Sequence, residues 1–484
     1  MSTATSSARE PDGERRGHGL TPAERLERLC DPGSLRTVPP PRLASGGFTR
    51  VAVTGGRGLV QGRPIVCYAQ DSSLAGGSVG TAEAETIVRV LRIGGQQRVP
   101  LVAFLESGGA RLQEGAASLG GFGRIFFENV ALSGRVPQIS VVTGTAAGGA
   151  CYSPALTDFV VMTGVASMFL TGPTVVNEAL GEDITAAALG GAWVHERNGV
   201  CHFVARDDPA AVDTVRELLG YLPQRAGERP PTAPPGRATG VDPGALVPSE
   251  PRRVYDVRAV ARAIVDAARF LEVSARWSRN LVTGFARVGG RPVGIVANQP
   301  RHLGGIIDVD AAEKGAWFVR TCDAYGLPLL VLVDTPGFMP GTRQEAAGII
   351  RHGAQLLRAF AEARVPRISV ILRKAYGGAY IAMNSRDVGA SRAFAWPGAE
   401  IGILGARSAA RILHRREIAV AADGDTATER FARAYAERHL STATALRTGV
   451  IDEVIEPMET RIRVLTALAS GSTGATASGR PTRS

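Results

Sequence analysis

The sequence predicts an α/β protein built from two copies of one domain that are joined by a proline-rich linker. Three observations lead to this prediction. Segments of the first half recur about 229 residues later, short apolar runs alternate with helical periodicity in both halves, and residues 223–251 hold eight prolines. At 484 residues the chain is also too long for one ordinary domain.

The internal repeat is collinear along the whole chain. Its matched pairs are 62–70 with 290–298, 100–109 with 328–337, 135–141 (RVPQISV) with 364–370 (RVPRISV), and Gly148-Gly149 with Gly377-Gly378. Because the offset stays at 228 or 229 residues throughout, each half is a copy of the same domain.

Composition shifts divide the chain into five parts. We expect a disordered start over residues 1–20, an N-terminal domain over 21–222, an extended linker over 223–251, a C-terminal domain over 252–468 and a disordered tail over 469–484. Continuous apolar runs predict strands buried on both faces at 63–68, 101–105, 139–142, 293–297, 329–333 and 368–372. Helical periodicity follows at 82–91 and 346–361.

Composition and charge exclude several classes of protein. With 44% hydrophobic and 21% charged residues the chain is not wholly disordered. The net charge of +10 permits an anionic partner, but no basic helix with interleaved aromatics is present, so we expect no nucleic acid partner. Five isolated cysteines indicate a reducing cytoplasm. The uncharged runs at 136–157 and 159–177 are broken by glycine and proline, so we expect no membrane association.

The duplicated glycine doublets are the strongest chemical signal. In each half a strand runs into glycines and then into helix-compatible sequence, at 150–156 and 379–384. Such a turn presents unpaired backbone N–H groups at a helix start, which can hold a developing oxyanion. The alternative is a turn glycine that only allows close packing, and duplication at the same place favours the first interpretation. The strand-end turns at 107–111 and 334–338 are placed to line the same clefts.

Other chemistries find less support in the sequence. Walker, HExxH and GxGxxG motifs are absent. The segment 76–80 (GGSVG) fits the GxSxG spacing of a serine hydrolase around Ser78, but it lies several residues beyond a strand end. The seven histidines show no metal-ligand spacing, so we expect no metal in this chain. His195 and His202 could line a cleft, although a surface or buried structural role is favoured.

The longer motifs resemble those of one enzyme family. They are ESGGARLQEG at 106–115, AGGACYSPALTD at 147–158, LGGA at 189–192, ANQP at 297–300, DTPGFMPG at 334–341, RKAYGGAY at 373–380 and AWP at 395–397. In this order they resemble the carboxyltransferase (β) subunits of biotin-dependent acyl-CoA carboxylases, of which the propionyl-CoA carboxylase β chain is the best known. The resemblance runs from about residue 21 to residue 468.

The resemblance implies a fold, an assembly and a reaction. The fold would be two tandem crotonase-like domains of the ClpP/crotonase ββα spiral type, assembled as a homohexamer (a dimer of trimers). Each active site would lie between the N-half of one subunit and the C-half of another. Carboxybiotin, delivered by a separate biotin carboxylase/biotin carrier subunit, would pass its carboxyl group to the α-carbon of a short acyl-CoA. Biotin itself would take the α-proton, so no protein base is needed.

The resemblance also implies roles for individual residues. Gly148 and Gly149 would hold the thioester carbonyl, and Gly378 and Ala379 the biotin ureido carbonyl. The set implied to bind substrate is Gly108, Gly109, Ala110, Arg111, Tyr380 and Ile381, and the set implied to bind biotin is Gly377, Gly378 and Ala379. In the family, Ile at position 381 accompanies use of several acyl-CoAs and Asp accompanies a preference for propionyl-CoA.

The chain departs from the family pattern at several positions. Glu106 replaces a usual Asp, the loop 70–77 lacks its usual aromatic residues, Thr145-Ala146 replaces Pro-Cys, and Thr86 stands at a usual Lys. Such drift fits a pathway-specific relative that supplies units for fatty acid or polyketide synthesis. Two alternatives stay open: a biotin-dependent decarboxylase subunit with a membrane partner, and a non-catalytic relative that scaffolds a carboxylase complex.

Overall fold

The computed structural model describes residues 19–40, 51–250 and 252–471, so most of the two expected disordered ends lies outside it. The strands of the first half are β1 (Arg36–Val38), β2 (Val53–Val60), β3 (Arg63–Gln70), β4 (Leu101–Ser107), β5 (Gln138–Ala147), β6 (Phe159–Thr163), β7 (Ser167–Phe169) and β8 (Phe203–Ala205). Those of the second half are β9 (Phe270–Val273), β10 (Leu281–Val288), β11 (Arg291–Asn298), β12 (Leu329–Thr335), β13 (Arg367–Tyr376), β14 (Arg392–Ala395), β15 (Glu400–Gly402) and β16 (Glu453–Val454).

Helices cover both faces of these strands. In the first half they are α1 (Pro22–Leu29), α2 (Thr81–Gln97), α3 (Ala116–Leu132), α4 (Tyr152–Ala155), α5 (Pro173–Leu180), α6 (Ala186–Gly190), α7 (Ala192–Asn198) and α8 (Asp208–Leu219). In the second half they are α9 (Val257–Ile264), α10 (Val309–Ala324), α11 (Thr342–Ala346), α12 (Ile349–Glu362), α13 (Gly377–Ala382), α14 (Ala406–Leu413), α15 (Arg415–Ala419), α16 (Gly424–Tyr435), α17 (Thr442–Arg447) and α18 (Thr460–Gly471). Among the described residues, no helix is both long enough and apolar enough to cross a bilayer.

The two sheets have the same topology. The first has the order β1-β2-β3-β4-β5-β6-β8, with β7 beside the end of β5. The second has the order β9-β10-β11-β12-β13-β14-β16, with β15 beside the end of β13. In each sheet the first three strands pair antiparallel and the others pair parallel. The prediction of two copies of one α/β domain is therefore confirmed.

Each predicted strand forms, and each is longer than predicted. The run 329–333 forms the first five residues of β12, all seven residues of which are buried because helices cover both faces of the sheet. The predicted helix 346–361 is instead split between α11 and α12. Gly348, at φ +82°, takes a left-handed conformation that ends one helix and begins the next.

The two halves meet through an aromatic contact and the linker. His202 of the first half stacks on Trp317 of the second, with ring centroids 4.4 Å apart. Residues 223–250 contain one 3₁₀ turn (Gly244–Leu246) and otherwise no helix or strand. The linker touches both halves, since the N–H of Ala226 donates to Arg135 and that of Ala233 donates to Gly290, each at 2.9 Å.

Candidate active site

The two glycine doublets form turns of the same backbone conformation. β5 leads into Gly148 and β13 leads into Gly377, and both glycines have φ +58°. The residues before them, Ala147 and Tyr376, both have φ −114°. Because an L side chain rarely adopts φ near +58°, glycine is needed at the first position of each doublet.

Each turn opens a short helical segment at the carboxyl end of its sheet. A 3₁₀ turn over Gly148–Cys151 continues into α4, while α13 begins at Gly377. The N–H groups in the first turn of a helix have no acceptor within that helix, and the helix dipole adds partial positive charge. Gly149 is half-buried and Ala379 is fully buried, so the amides lie at the edge of the protein interior, where they can bind an oxyanion.

An aromatic ring lies against the second glycine of each doublet, but it comes from a different element in each half. In the first half Phe122 of α3 supplies it, and a methyl group on Gly149 would lie 3.2 Å from that ring. In the second half Phe338 supplies it from the turn after β12, lying between Gly353 of α12 and Gly378. The same packing against the second glycine is therefore formed by non-equivalent elements in the two halves.

The strand-end turn after β4 packs directly on the first doublet. Gly109 has φ +99°, and a methyl group there would lie 2.9 Å from the carbonyl oxygen of Ala147. The N–H of Gly108 donates to Gly76 at 2.9 Å, and Ala110 pairs with Val79 in a short bridge. The structure thus brings three of the residues predicted to bind substrate, at positions 108–110, beside the doublet.

Arg111, which was also predicted to bind substrate, is held by protein groups. Its guanidinium lies 2.9 Å from Glu83 and 3.3 Å from Glu114, and it donates to the carbonyl oxygen of Ser78 at 2.8 Å. We therefore interpret Arg111 as a residue that positions this turn. The hydroxyl of Ser78 accepts from Arg111 at 3.3 Å and, within the described residues, donates to no histidine, so the serine hydrolase alternative has no triad.

The residues that follow the doublets alternate between buried and exposed. Tyr380 is buried, and its hydroxyl donates to the carbonyl oxygen of Val450 at 3.1 Å; burial raises the pKa of this phenol. Tyr380 therefore supports α13 from the core side. Ile381, by contrast, is 46% exposed and so is not a core residue. The offset of 229 makes Tyr152 the counterpart of Ile381, a residue that sequence reasoning missed.

The carboxylates near the ends of β4 and β12, Glu106 and Asp334, are held by different partners. Asp334 is buried, which raises its pKa, and it accepts from Arg373 at 3.1 Å and from the hydroxyl of Tyr255 at 2.9 Å. In the first half Glu106 and Gly144 stand at the positions of Asp334 and Arg373. The longer Glu106 fills the space above Gly144, where a methyl group would lie 2.6 Å from its Oε1 atom.

Glu106 is held by partners that the sequence did not indicate. Arg25 of α1 pairs with it at 3.1 Å, and the hydroxyl of Ser72 donates to it at 2.7 Å. Arg25 also pairs with Asp208 at 2.8 Å. The departure from the usual Asp is therefore accommodated by the absence of a side chain at Gly144 and by these donors.

An apolar recess of about 450 Å³ adjoins the second doublet. Its walls include Phe338, Met339, Ile349, Leu357, Gly378 and Ala382. The recess lies directly beside the amides of α13, so a ligand there could place an apolar ring in the recess and a carbonyl oxygen on the N–H groups.

His195 and His202, the two histidines that could have lined a cleft, are both bonded to the backbone. His195 Nε2 lies 2.6 Å from the carbonyl oxygen of Met168. His202 Nδ1 accepts from the N–H of Val160 at 2.9 Å, and burial lowers the pKa of His202 to about 3. Within the described residues, no group of three or more His, Cys, Asp or Glu side chains is arranged to hold a metal ion.

Comparison with known proteins identifies the family. The model of the carboxyl transferase domain matches residues 14–483, nearly the whole chain. The chain belongs to this family. The family resemblance expected from the motifs is thereby confirmed.

This carboxyl transferase aligns with its relatives over most of their length and most of its own. It is 45% identical to the methylmalonyl-CoA carboxyltransferase 12S subunit of Propionibacterium freudenreichii subsp. shermanii, over 93% of this chain and 88% of that one. It is also 45% identical to the propionyl-CoA carboxylase beta chain of Saccharopolyspora erythraea, over 93% and 87%. A methylmalonyl-CoA decarboxylase subunit alpha, from Propionigenium modestum, is 41% identical over 93% and 89%.

A solved structure shows the same fold. The transcarboxylase 12S crystal structure, described as a hexamer with methylmalonyl-coenzyme A and methylmalonic acid bound, superposes with a TM-score of 0.91. The two proteins are 44% identical, over 96% of this chain and 91% of that one. The carboxyl transferase described here therefore has the predicted fold of two tandem crotonase-like domains.

Proposed function

We propose that the chain is the carboxyltransferase subunit of a biotin-dependent acyl-CoA carboxylase. It transfers the carboxyl group from carboxybiotin on a separate carrier subunit to the α-carbon of acetyl-, propionyl- or butyryl-CoA. The products are malonyl- or methylmalonyl-type CoA esters. The observation that carries this proposal is the pair of glycine turns with the same conformation in a chain of this family.

The reaction explains why two such turns are needed. Negative charge develops on two carbonyl oxygens, that of the thioester and that of the biotin ureido group. The amides at Gly148 and Gly149 hold the first oxygen, and those at Gly377, Gly378 and Ala379 hold the second. Preorganised N–H donors of this kind typically supply about 3–4 kcal/mol each to such a transition state.

The surroundings of the second doublet suit a bound biotin ring system. Biotin presents a ureido oxygen, which requires N–H donors, on a fused ring system that requires an apolar wall. α13 supplies the donors, and the recess of about 450 Å³ beside Gly378 supplies the wall. Bound carboxybiotin brings the carboxyl group, while the protein orients both carbonyl oxygens and excludes water.

A second copy of the chain completes each site. Tyr325 lies just before β12 and contacts Val136, at the amino end of β5, whereas Gly148 follows the carboxyl end of β5, about 30 Å away. The halves of one chain thus meet away from their turns. Apolar side chains around both turns are exposed, among them Leu119, Phe127, Ile350 and Ile403. We infer a homohexamer in which the N-half of one copy covers the C-half of another, as the hexameric 12S relative supports.

The relative named as a decarboxylase subunit makes the reverse direction a second candidate. The same two turns would serve transfer from the acyl-CoA to biotin. The non-catalytic alternative is disfavoured because both turns keep their full conformation. We assign the chain to the cytoplasm and to the supply of units for fatty acid or polyketide synthesis.

Labelled carboxyl transfer from a supplied carboxylated carrier protein to a panel of acyl-CoAs tests the proposal. We expect label in the thioesters with the carrier and none from the chain alone with ATP and bicarbonate. Neither Lys314 nor Lys374 has the flanking methionines of a biotinylation site. Lack of transfer to every acyl-CoA would contradict the proposal, and efficient transfer only from methylmalonyl-CoA to biotin would favour the decarboxylase direction.

A further inference from the structure

The internal duplication identifies Tyr152 as the counterpart of Ile381 in the first half. Tyr152 and Ile381 are separated by 229 residues, and each lies four residues after the first glycine of its doublet. Tyr152 is 49% exposed and Ile381 46% exposed, while Cys151 and Tyr380, which precede them, are both buried. The two side chains therefore occupy the same place relative to their turns.

Tyr152 is supported by an aromatic stack that ends at the first doublet. Its ring meets Phe126 edge-on at 5.9 Å, and Phe126 lies 5.7 Å from Phe122, the ring that packs against Gly149. Among the described residues its hydroxyl has no hydrogen-bond partner, whereas the hydroxyl of Tyr380 is bonded to the backbone. A rigid aromatic wall with a free hydroxyl thus borders the thioester-side turn.

We propose that Tyr152 positions carboxybiotin across the composite site, an inference that rests on the proposed function. The two turns face each other there, each holding one carbonyl oxygen. A side chain on the exposed face beyond one turn therefore extends toward the ligand held by the opposite turn. By this geometry Tyr152 of one copy covers the biotin ring system bound at Gly378 and Ala379 of a second copy. Its hydroxyl donates a hydrogen bond to the carboxyl group in transit, and Tyr152 forms and breaks no covalent bond.

The experiment measures carboxyl transfer from malonyl-CoA to free biotin by the assembled enzyme and its Tyr152→Phe and Tyr152→Ala variants. Loss of the hydrogen bond to the carboxyl group in transit should lower kcat about tenfold in Tyr152→Phe and leave the KM for biotin within about twofold. Tyr152→Ala, which also loses the ring that covers biotin, should in addition raise the KM for biotin about tenfold. The KM for malonyl-CoA should stay within about twofold, because the amides that hold the thioester are unchanged.

Matched measurements separate this role from a merely structural one. Val130→Ala, on the exposed face of α3 but near the end of that helix that leads into β5, leaves the aromatic stack intact and should leave the KM for biotin unchanged. Sedimentation of every variant reports the hexamer. An unchanged kcat in Tyr152→Phe, an unchanged KM for biotin in Tyr152→Ala, a rise confined to the KM for malonyl-CoA, or an effect explained by hexamer loss would overturn the inference while the proposed function stands. Absence of transfer by the wild-type enzyme would overturn both.

Discussion

The hydroxyl of Tyr325 in the second half donates a 2.6 Å hydrogen bond to the carboxylate of Asp158 in the first half. The same carboxylate oxygen accepts from the N–H of Gln138 at 2.8 Å. Burial nevertheless raises the pKa of Asp158 to about 6. The contact between the halves therefore includes a carboxylate whose ionisation opposes folding.

Asp158→Asn should stabilise the protein at pH 8, since the amide oxygen keeps both hydrogen bonds and carries no charge. The pKa of Asp158 is higher in the folded state (about 6) than its unfolded value of 3.8. The cost of ionisation is thus fully present above pH 6 and disappears as the pH falls towards 4. We expect a gain of about 1–3 kcal/mol at pH 8 and little difference at pH 4, measured by denaturant unfolding. Equal differences at both pH values would contradict this assignment.

Ala379→Pro should lower the transfer rate about 10²–10³-fold, because proline removes the N–H that faces the ureido oxygen. Gly149→Pro should also abolish transfer while the hexamer persists. The proline ring at this position would contact the ring of Phe122. The control is Gly378→Ala, which keeps its N–H and places a methyl group 3.8 Å from the Phe338 ring, an ordinary contact. Full activity of a folded Ala379→Pro variant would remove that amide from the mechanism.

Ile381→Asp should narrow the range of acyl-CoAs that the enzyme accepts. An apolar wall separates substrates that differ by one methylene by only about 1–3 kcal/mol, so the wild type should use acetyl-, propionyl- and butyryl-CoA. The exposure of Ile381 in the single chain fits a position in the cleft. The measurement is kcat/KM for the three thioesters with one carrier protein. Unchanged ratios in an assembled variant would exclude Ile381 from selectivity.

Lys314→Met should destabilise the fold by about 2–4 kcal/mol, because a fully buried ammonium group is lost from its acceptors. Lys314 Nζ donates to the carbonyl oxygens of Ser274, Trp277 and Leu281 at 3.0, 2.9 and 2.7 Å. Glu313→Gln, on the exposed side of the same helix, serves as the control and should have little effect. Thermal unfolding of both variants checks the prediction, and equal melting temperatures would refute it.

The sequence predicted the duplication and the strands because these depend on local periodicity and on matches along the chain. It also predicted both doublets, since a glycine that needs a positive φ recurs at the same offset. The role of Arg111 could not be predicted in this way. Its partner Glu83 lies far along the chain, and only the packing of α2 against the turn after β4 brings the two together.

The same limit applies to contacts between distant elements. Arg25, near the start of the chain, contacts Glu106 because α1 packs beside it, and no local sequence pattern predicts that ion pair. Tyr152, however, could have been found, because the offset that relates Gly148 to Gly377 also relates Tyr152 to Ile381.

The different origins of Phe122 and Phe338 restrict how parts of the two halves can be exchanged. A chimera that replaces α3 with α12 would lose the ring beneath Gly149, and the reverse exchange would force two rings into the space beside Gly378. Whole halves carry their own rings, so crossover points within the linker preserve both turns. Exchange of equivalent helices between the two halves is therefore expected to disrupt a turn, whereas exchange of whole halves is expected to preserve both.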